Sequence, residues 1–192
     1  MFGTDLFQEV FMKIPEVLET EEVFTGKITS IRRDKLSRGD GQTFIRETAV
    51  TDDSVGIVAM DDKRRILLIR QYRHPVGRPL WEIPAGRMDV DGESPEETAL
   101  RELREETDTS AATVRLLTVF LNSAGWTTEK TYIYLAEGLN SMPEYERKNE
   151  EADIEKKWIS LEEAFEQVKA GRIDDAKTVI GILLAKERKT EQ

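Results

Sequence analysis

Three glutamates, Glu102, Glu105 and Glu106, crowd the segment Arg101-Glu102-Leu103-Arg104-Glu105-Glu106. On an α-helix, offsets of three and four bring side chains onto one stripe. Three carboxylates on one stripe repel each other, and a helix gains nothing from that unless positive charge sits over it. Arg101 and Arg104 can supply some. A divalent cation supplies more, and carboxylate oxygens are the ligands it prefers. The chain has no cysteine and one histidine, His74, so thiolate sites, multi-histidine sites, disulfides and cysteine nucleophiles are excluded. What remains is a hard cation held by oxygen, Mg²⁺ or Mn²⁺. The stripe alone fits a solvated Glu-rich face equally well. The preceding residues favour chemistry: a strand, then Pro84-Ala85-Gly86, then a polar loop, where glycine lets the backbone approach a metal or phosphate closely.

Those residues need a scaffold. The chain has 192 residues, enough for one domain with a substantial extension, and 39% are hydrophobic. A formal net charge of −10 repels nucleic-acid phosphates, so DNA or RNA binding is not expected. An anionic small substrate would need a local positive site or a metal. No apolar run is long enough to span a membrane, and the first residues mix acidic with apolar side chains unlike a signal peptide, so the expected location is the cytoplasm.

Phe7, Val10, Phe11, Ile14 and Leu18 recur at helical spacing, which predicts a helix over residues 1 to about 20, interrupted near Pro15. Glu22 to Leu36 reads as a strand, Ser37-Arg38-Gly39-Asp40-Gly41 as a turn, and Thr43 to Val50 as the return strand of a hairpin. Strands follow at Val55–Met60, Ile66–Arg73 and Leu80–Ile83. Ser94-Pro95-Glu96-Glu97 is a capping box that opens the glutamate helix. Val114–Leu121, Thr131–Ala136 and Ile154–Ile159 read as strands, and Leu139–Glu151 as an acidic loop. Ser160-Leu161-Glu162-Glu163 caps a second helix that stops near Gly171, and a last helix runs from Asp174 to about Lys189. Strands and helices mix without strict alternation. The expected class is therefore a layered α/β (α+β) fold rather than a doubly wound sheet.

The segment from Gly86 to Thr109 resembles the Nudix box: Gly, five residues, Glu, seven residues, Arg-Glu, an aliphatic, any residue, Glu-Glu, any residue, Gly, an aliphatic. Gly86, Glu93, Arg101, Glu102, Leu103, Glu105 and Glu106 match in order. Six residues separate Gly86 from Glu93, and Asp108 and Thr109 replace the final Gly and aliphatic. The extra residue falls in the loop around Asp91-Gly92 and leaves the spacing from Glu93 to Glu106 intact. Asp tolerates a left-handed helix end better than most residues. Arg70-Gln71-Tyr72-Arg73-His74-Pro75, Trp81 to Gly86 and Gly171 to Leu183 are similar to the ADP-ribose pyrophosphatase branch. That branch usually carries Pro where this chain has Ala124.

The resemblance implies a Nudix-type α/β/α sandwich with a mixed sheet at residues 53–192. It implies an N-terminal extension at 1–52, a helix and hairpin that joins a homodimer. By residue matching, Glu102 and Glu106 are the foremost metal ligands, with Glu105 and the Ala85 carbonyl completing the set. Glu93 and Arg101 form a structural ion pair. The base comes from the acidic loop, Glu150 or Glu151. Arg46 and Glu47 match a strand that reaches the nucleotide in relatives. Arg73 suits a phosphate through its forked guanidinium. In Asn122-Ser123-Ala124-Gly125-Trp126, Gly125 and Trp126 offer a surface where the indole stacks on a base, and Glu129 suits a ribose hydroxyl. The implied reaction is Mg²⁺-dependent hydrolysis of a nucleoside diphosphate derivative, ADP-ribose giving AMP and ribose 5-phosphate. The alternatives are another nucleoside diphosphate sugar, or a non-catalytic nucleotide sensor.

Overall fold

The computed structural model describes residues 13–147 and 153–188, which form two compact units. The first draws on Met1–Thr51 and Gly125–Thr127, the second on Asp52–Ala124 and Thr128–Gln192.

In the first unit, β1 (Glu16–Thr25), β2 (Thr29–Ser37) and β3 (Thr43–Thr51) form an antiparallel sheet in that order. Residues 1–12, where most of the expected N-terminal helix falls, lie outside the described residues. The helix does not extend to residue 20, because β1 begins at Glu16. The single strand expected from Glu22 to Leu36 is instead the end of β1, a turn and β2. The turn forms at Gly26, whose amide donates to Thr29 O at 2.9 Å and where a Cβ would meet Phe24 and that same carbonyl. Trp126 O accepts from the Ala49 amide at 2.7 Å, and Thr127 bridges Ala49, so residues 125–127 belong to this unit.

The second unit is an α/β/α sandwich. β4 (Ser54–Ala59) lies at its centre, parallel to β10 (Lys130–Glu137) and antiparallel to the short β7 (Ala85–Arg87), while β9 (Thr113–Leu121) pairs with β10. A second sheet joins β5 (Arg65–Arg73) to β6 (Arg78–Glu82) and β12 (Glu155–Ser160), and β8 (Thr109–Ser110) pairs with β11 (Asn140–Ser141). Pro84-Ala85-Gly86 is thus not a plain loop, since Ala85 and Gly86 enter β7. Two residues of the expected acidic loop form β11. The remaining expected strands stand where the sequence puts them.

Strand alternation explains the layers. Val55, Ile57 and Ala59 of β4, with Tyr134 and Ala136 of β10, pack on Ala99 and Leu103 of α1 (Pro95–Thr107). Val58, Ile133 and Leu135 face the other way, onto Leu161 and Ala164 of α2 (Leu161–Lys169) and Ile182 and Ala185 of α3 (Ala176–Glu187). Both faces are covered, so the central strands read as continuous apolar runs. Gly181 brings α3 close: a Cβ there would stand 2.8 Å from Val58 Cγ2.

The helix ends follow the sequence. Ser94 and Glu97 make the full capping box on α1. On α2, the Ser160 hydroxyl accepts from Glu163 N at 3.1 Å. Asp108 ends α1 in the left-handed region, at φ 57° and ψ 37°, where the final glycine of the resembled pattern would sit. Burial pushes the Asp108 carboxyl up, but Lys156, Arg147 and the Tyr145 amide outweigh it and hold the group at about 2.

On α3, Asp175 accepts from Thr178 N, and the buried Thr178 hydroxyl accepts from the Ile83 amide at 3.0 Å and donates to Asp175 Oδ2 at 2.6 Å. This ties the chain leaving β6 to α3. Thr178→Val keeps the shape but leaves the buried Ile83 N–H unpaired, so urea unfolding of the variant will show a loss of about 1–3 kcal/mol.

Candidate active site

α1 carries the glutamates to the edge of the sheet. Glu102 and Glu106, one turn apart, point inward and retain 7% and 3% exposure, whereas Glu105 is half-buried beside them. The backbone of β7 meets the inward pair. The Ala85 amide donates to Glu106 Oε2 at 2.8 Å. A Cβ at Gly86 would fall in the space of the Glu102 carboxyl. Glycine is needed here for close approach, not for its turn conformation.

The electrostatics follow from that burial. Desolvation, with the Glu102 charge adding to it, raises Glu106 to about 8 against the pull of the Ala85 amide, Arg73 and Lys177. Arg101 supplies counter-charge at the surface. Its Nε donates to both Glu93 oxygens at 3.0 Å, its Nη1 lies 2.6 Å from Glu102 Oε1 and 3.4 Å from Glu105 Oε2, and its Nη2 reaches Arg87 O at 3.4 Å. The Thr98 hydroxyl also donates to Glu93, at 3.0 Å. Glu93 and Arg101 therefore fasten the loop after β7 to α1, as the sequence implied. The Tyr145 hydroxyl donates to Glu105 Oε1 at 2.9 Å.

Beside this pair a cleft of about 370 Å³ opens, lined by Ala85 and Gly86, by the cationic Arg73, Arg87 and Lys177, and by Ser54, Asn122, Glu129 and Thr131. Arg73 does not present a free fork: its Nε and Nη2 each lie 2.8 Å from the fully buried Glu82. Lys177 binds the same carboxylate and Asp175. Burial alone would raise Glu82, but these two cations hold it below its ordinary value. Also lining the cleft, Ser54 Oγ donates to Glu129 Oε1 at 2.9 Å and lies 2.7 Å from Thr131 Oγ1, which donates to Asn122 Oδ1 at 2.8 Å.

The NUDIX domain family matches residues 50–180. The chain belongs to the Nudix family. It is a Nudix hydrolase, and it is 40% identical over 168 residues to a Mycobacterium tuberculosis protein named ADP-ribose pyrophosphatase, covering 88% of this chain and 81% of that one. A Bacillus subtilis protein of the same name is 33% identical, with 87% and 90% covered. The crystal structure of an ADP compounds hydrolase superposes with a TM-score of 0.80, at 23% identity, over 90% of this chain and 92% of that one, a likeness of fold.

The site residues expected from sequence fall into separate groups. Glu102, Glu105, Glu106 and Ala85 come together on α1 and β7, and Arg73 and Glu129 both line the cleft. Arg46, Glu47, Gly125 and Trp126 belong to the first unit. There Arg46 lies over the Phe44 ring at 4.8 Å, Glu47 accepts from Arg33 at 2.7 Å, and Trp126 is exposed. Glu150 and Glu151 fall outside the described residues. His74 sits exposed in a single 3₁₀ turn. Lys177, Asp175, Arg87, Ser54, Asn122 and Thr131 were not singled out from sequence. Each is an ordinary surface-type residue until the fold gathers it, and only Asp175 carried a local signal, at the start of a helix.

Among the described residues, no three acidic or histidine side chains stand grouped as a ready metal site. The donor chemistry nonetheless fits a hard cation. Two carboxylates are buried together with like charge, and the cradle at Gly86 holds one of them against the backbone.

Two outcomes follow. Gly86→Ala will displace the Glu102 carboxyl and lower turnover by about 100-fold in steady-state assays, because a misplacement of about 1 Å can cost that much. In metal-free protein, the unfolded Glu106 carboxyl titrates near 4.5 and the folded one near 8, so between these values the folded state holds a proton that the unfolded state has lost. Stability then falls as pH rises from about 4.5 to 8, by up to about 1.4 kcal/mol per unit. Glu106→Gln will flatten that slope in urea titrations with chelator.

Proposed function

We propose that this Nudix hydrolase cleaves the pyrophosphate bond of a nucleoside diphosphate derivative, ADP-ribose first, giving AMP and ribose 5-phosphate. The observation that carries the reading is the Glu102/Glu106 pair, desolvated against β7, whose Ala85 and Gly86 also line a cleft with Arg73, Arg87 and Lys177. A diphosphate needs positive charge, and an acidic chain supplies it only locally. The names of the two ADP-ribose pyrophosphatases support the choice of substrate.

Glu102 and Glu106, with Glu105 and the Ala85 carbonyl, would hold Mg²⁺ or Mn²⁺. When bound, such an ion neutralises developing charge on the phosphates and lowers the pKa of water. The chain's own residues do the rest. The cleft cations bind phosphate oxygens, and Arg73, already aligned by Glu82, turns its remaining surface to the cleft. Glu129, with Ser54, Asn122 and Thr131, offers acceptors and donors suited to ribose hydroxyls. Glu150 or Glu151 takes the proton of the attacking water, with Glu105 on α1 as the alternative. Arg46, Glu47, Gly125 and Trp126 contact the nucleotide, with the indole stacking on the base. The 1–52 extension of the sequence reading joins two copies into a homodimer.

The test is hydrolysis of a panel of ADP-ribose, other ADP-sugars and GDP-sugars with Mg²⁺ and with Mn²⁺. ADP-ribose is expected to give the highest kcat/KM, and Glu106→Gln is expected to lower kcat by about 100-fold or more. Faster turnover of a GDP-sugar would move the substrate, in keeping with Ala124 in place of the branch's Pro. Nucleotide binding without turnover at either metal would make the protein a sensor.

A further inference from the structure

Asp108 departs from the Nudix pattern, where glycine ends the helix. The backbone needs only φ 57°, which glycine adopts at no cost. The aspartate therefore brings something the helix end does not require.

Its side chain meets chain from two distant places. Oδ1 accepts from the Tyr145 amide at 2.6 Å. Oδ2 accepts from Lys156 Nζ of β12 at 2.6 Å, and Arg147 Nη2 stands 2.6 Å from the same oxygen as an ion pair outside hydrogen-bond alignment. Arg104 Nη1, one turn back on α1, is 3.8 Å from Oδ1. Three cations thus face one carboxylate, and without it they would repel one another. The backbone helps independently, since Asp108 O accepts from the Met142 amide at 2.8 Å. Arg104 Nη1 also donates to Pro143 O at 2.6 Å.

The places held are not arbitrary. Tyr145 and Arg147 precede, and Lys156 follows, the stretch of the acidic loop that contains Glu150 and Glu151. Tyr145 is also the residue whose hydroxyl donates to Glu105. One carboxylate at the end of α1 fixes both flanks of that loop to the helix bearing Glu102, Glu105 and Glu106.

We propose that Asp108 is a positioning residue for hydrolysis: it clasps the two flanks of the acidic loop to the end of α1 and, through Tyr145, sets the orientation of Glu105. The role rests on the reading of Glu102, Glu105 and Glu106 on α1 as the site of catalysis. It is separate from the helix-ending role that glycine would fill.

The two roles come apart in Asp108→Gly, which keeps the left-handed backbone and removes the clasp. Hydrogen exchange of the metal-free variant is expected to show the Tyr145 amide losing protection by about tenfold or more while the Met142 amide, bonded to the backbone of residue 108, stays within about threefold. On whichever substrate of the panel wild type hydrolyses best, kcat is expected to fall about tenfold with KM within about twofold. Asp108→Asn, which keeps an acceptor for Tyr145 but drops the charge toward Arg147 and Lys156, should fall between the two and serves if the glycine variant does not fold. Wild-type exchange at Tyr145 together with wild-type kcat in Asp108→Gly would overturn the proposal. So would a change in KM alone. Exchange needs no turnover, so a wrong substrate assignment and a wrong clasp give different results.

Discussion

Glu102 and Glu106 are carried out of water side by side, one helical turn apart, and much of the second unit is arranged around that costly placement. A buried carboxylate near another like charge either takes up a proton or gains positive charge from its surroundings. Here the surroundings answer in part. The Ala85 amide bonds Glu106, Arg101 lies against Glu102, and Arg73 and Lys177 add longer-range attraction. Glu106 nevertheless remains raised, so the site has room for more positive charge. That residual demand is what a cation-assisted phosphate chemistry exploits.

Holding two carboxylates in this state requires rigid neighbours. The apolar face of α1, through Ala99 and Leu103, sets the helix height over β4, and Gly86 lets the Glu102 carboxyl come against the backbone. Behind the cleft, the buried Glu82 aligns Arg73 and Lys177 in one ionic group tied to the start of α3 through Asp175. The neutralisation is mutual: the same carboxylate that makes these cations affordable to bury also prevents their long side chains from sampling other rotamers.

Just past Glu106, the C-terminal end of α1 is held by charge as well as by packing. Asp108 gathers Arg104, Arg147 and Lys156 at a point where the backbone alone would call for glycine. Two carboxylates a few residues apart thus meet opposite surroundings: Glu106, facing β7, stays raised against its neighbours, and Asp108 is surrounded by cations.

The sequence by itself determined the elements and the reacting groups. Continuous apolar runs marked the central strands, the Ser94 capping box started α1, and the spacing from Glu93 to Glu106 named the carboxylates, because each is a local property of neighbouring residues. The fold class followed from the mixed order of strands and helices. Local pattern failed where geometry depends on distant partners. It read one strand across the turn at Gly26, which forms because a small residue fits under Phe24. It read Pro84-Ala85-Gly86 as a loop, although Ala85 and Gly86 become strand by pairing with β4. It treated Asp108 as a tolerated replacement, since nothing nearby in sequence announces Tyr145, Arg147 and Lys156 as its partners. Lys177 and Asp175 reach the cleft only because α3 packs against the sheet. Which glutamates exist was written in the chain; which are desolvated, and which cations stand beside them, was decided by tertiary packing, because burial and charge pairing arise between residues far apart in sequence.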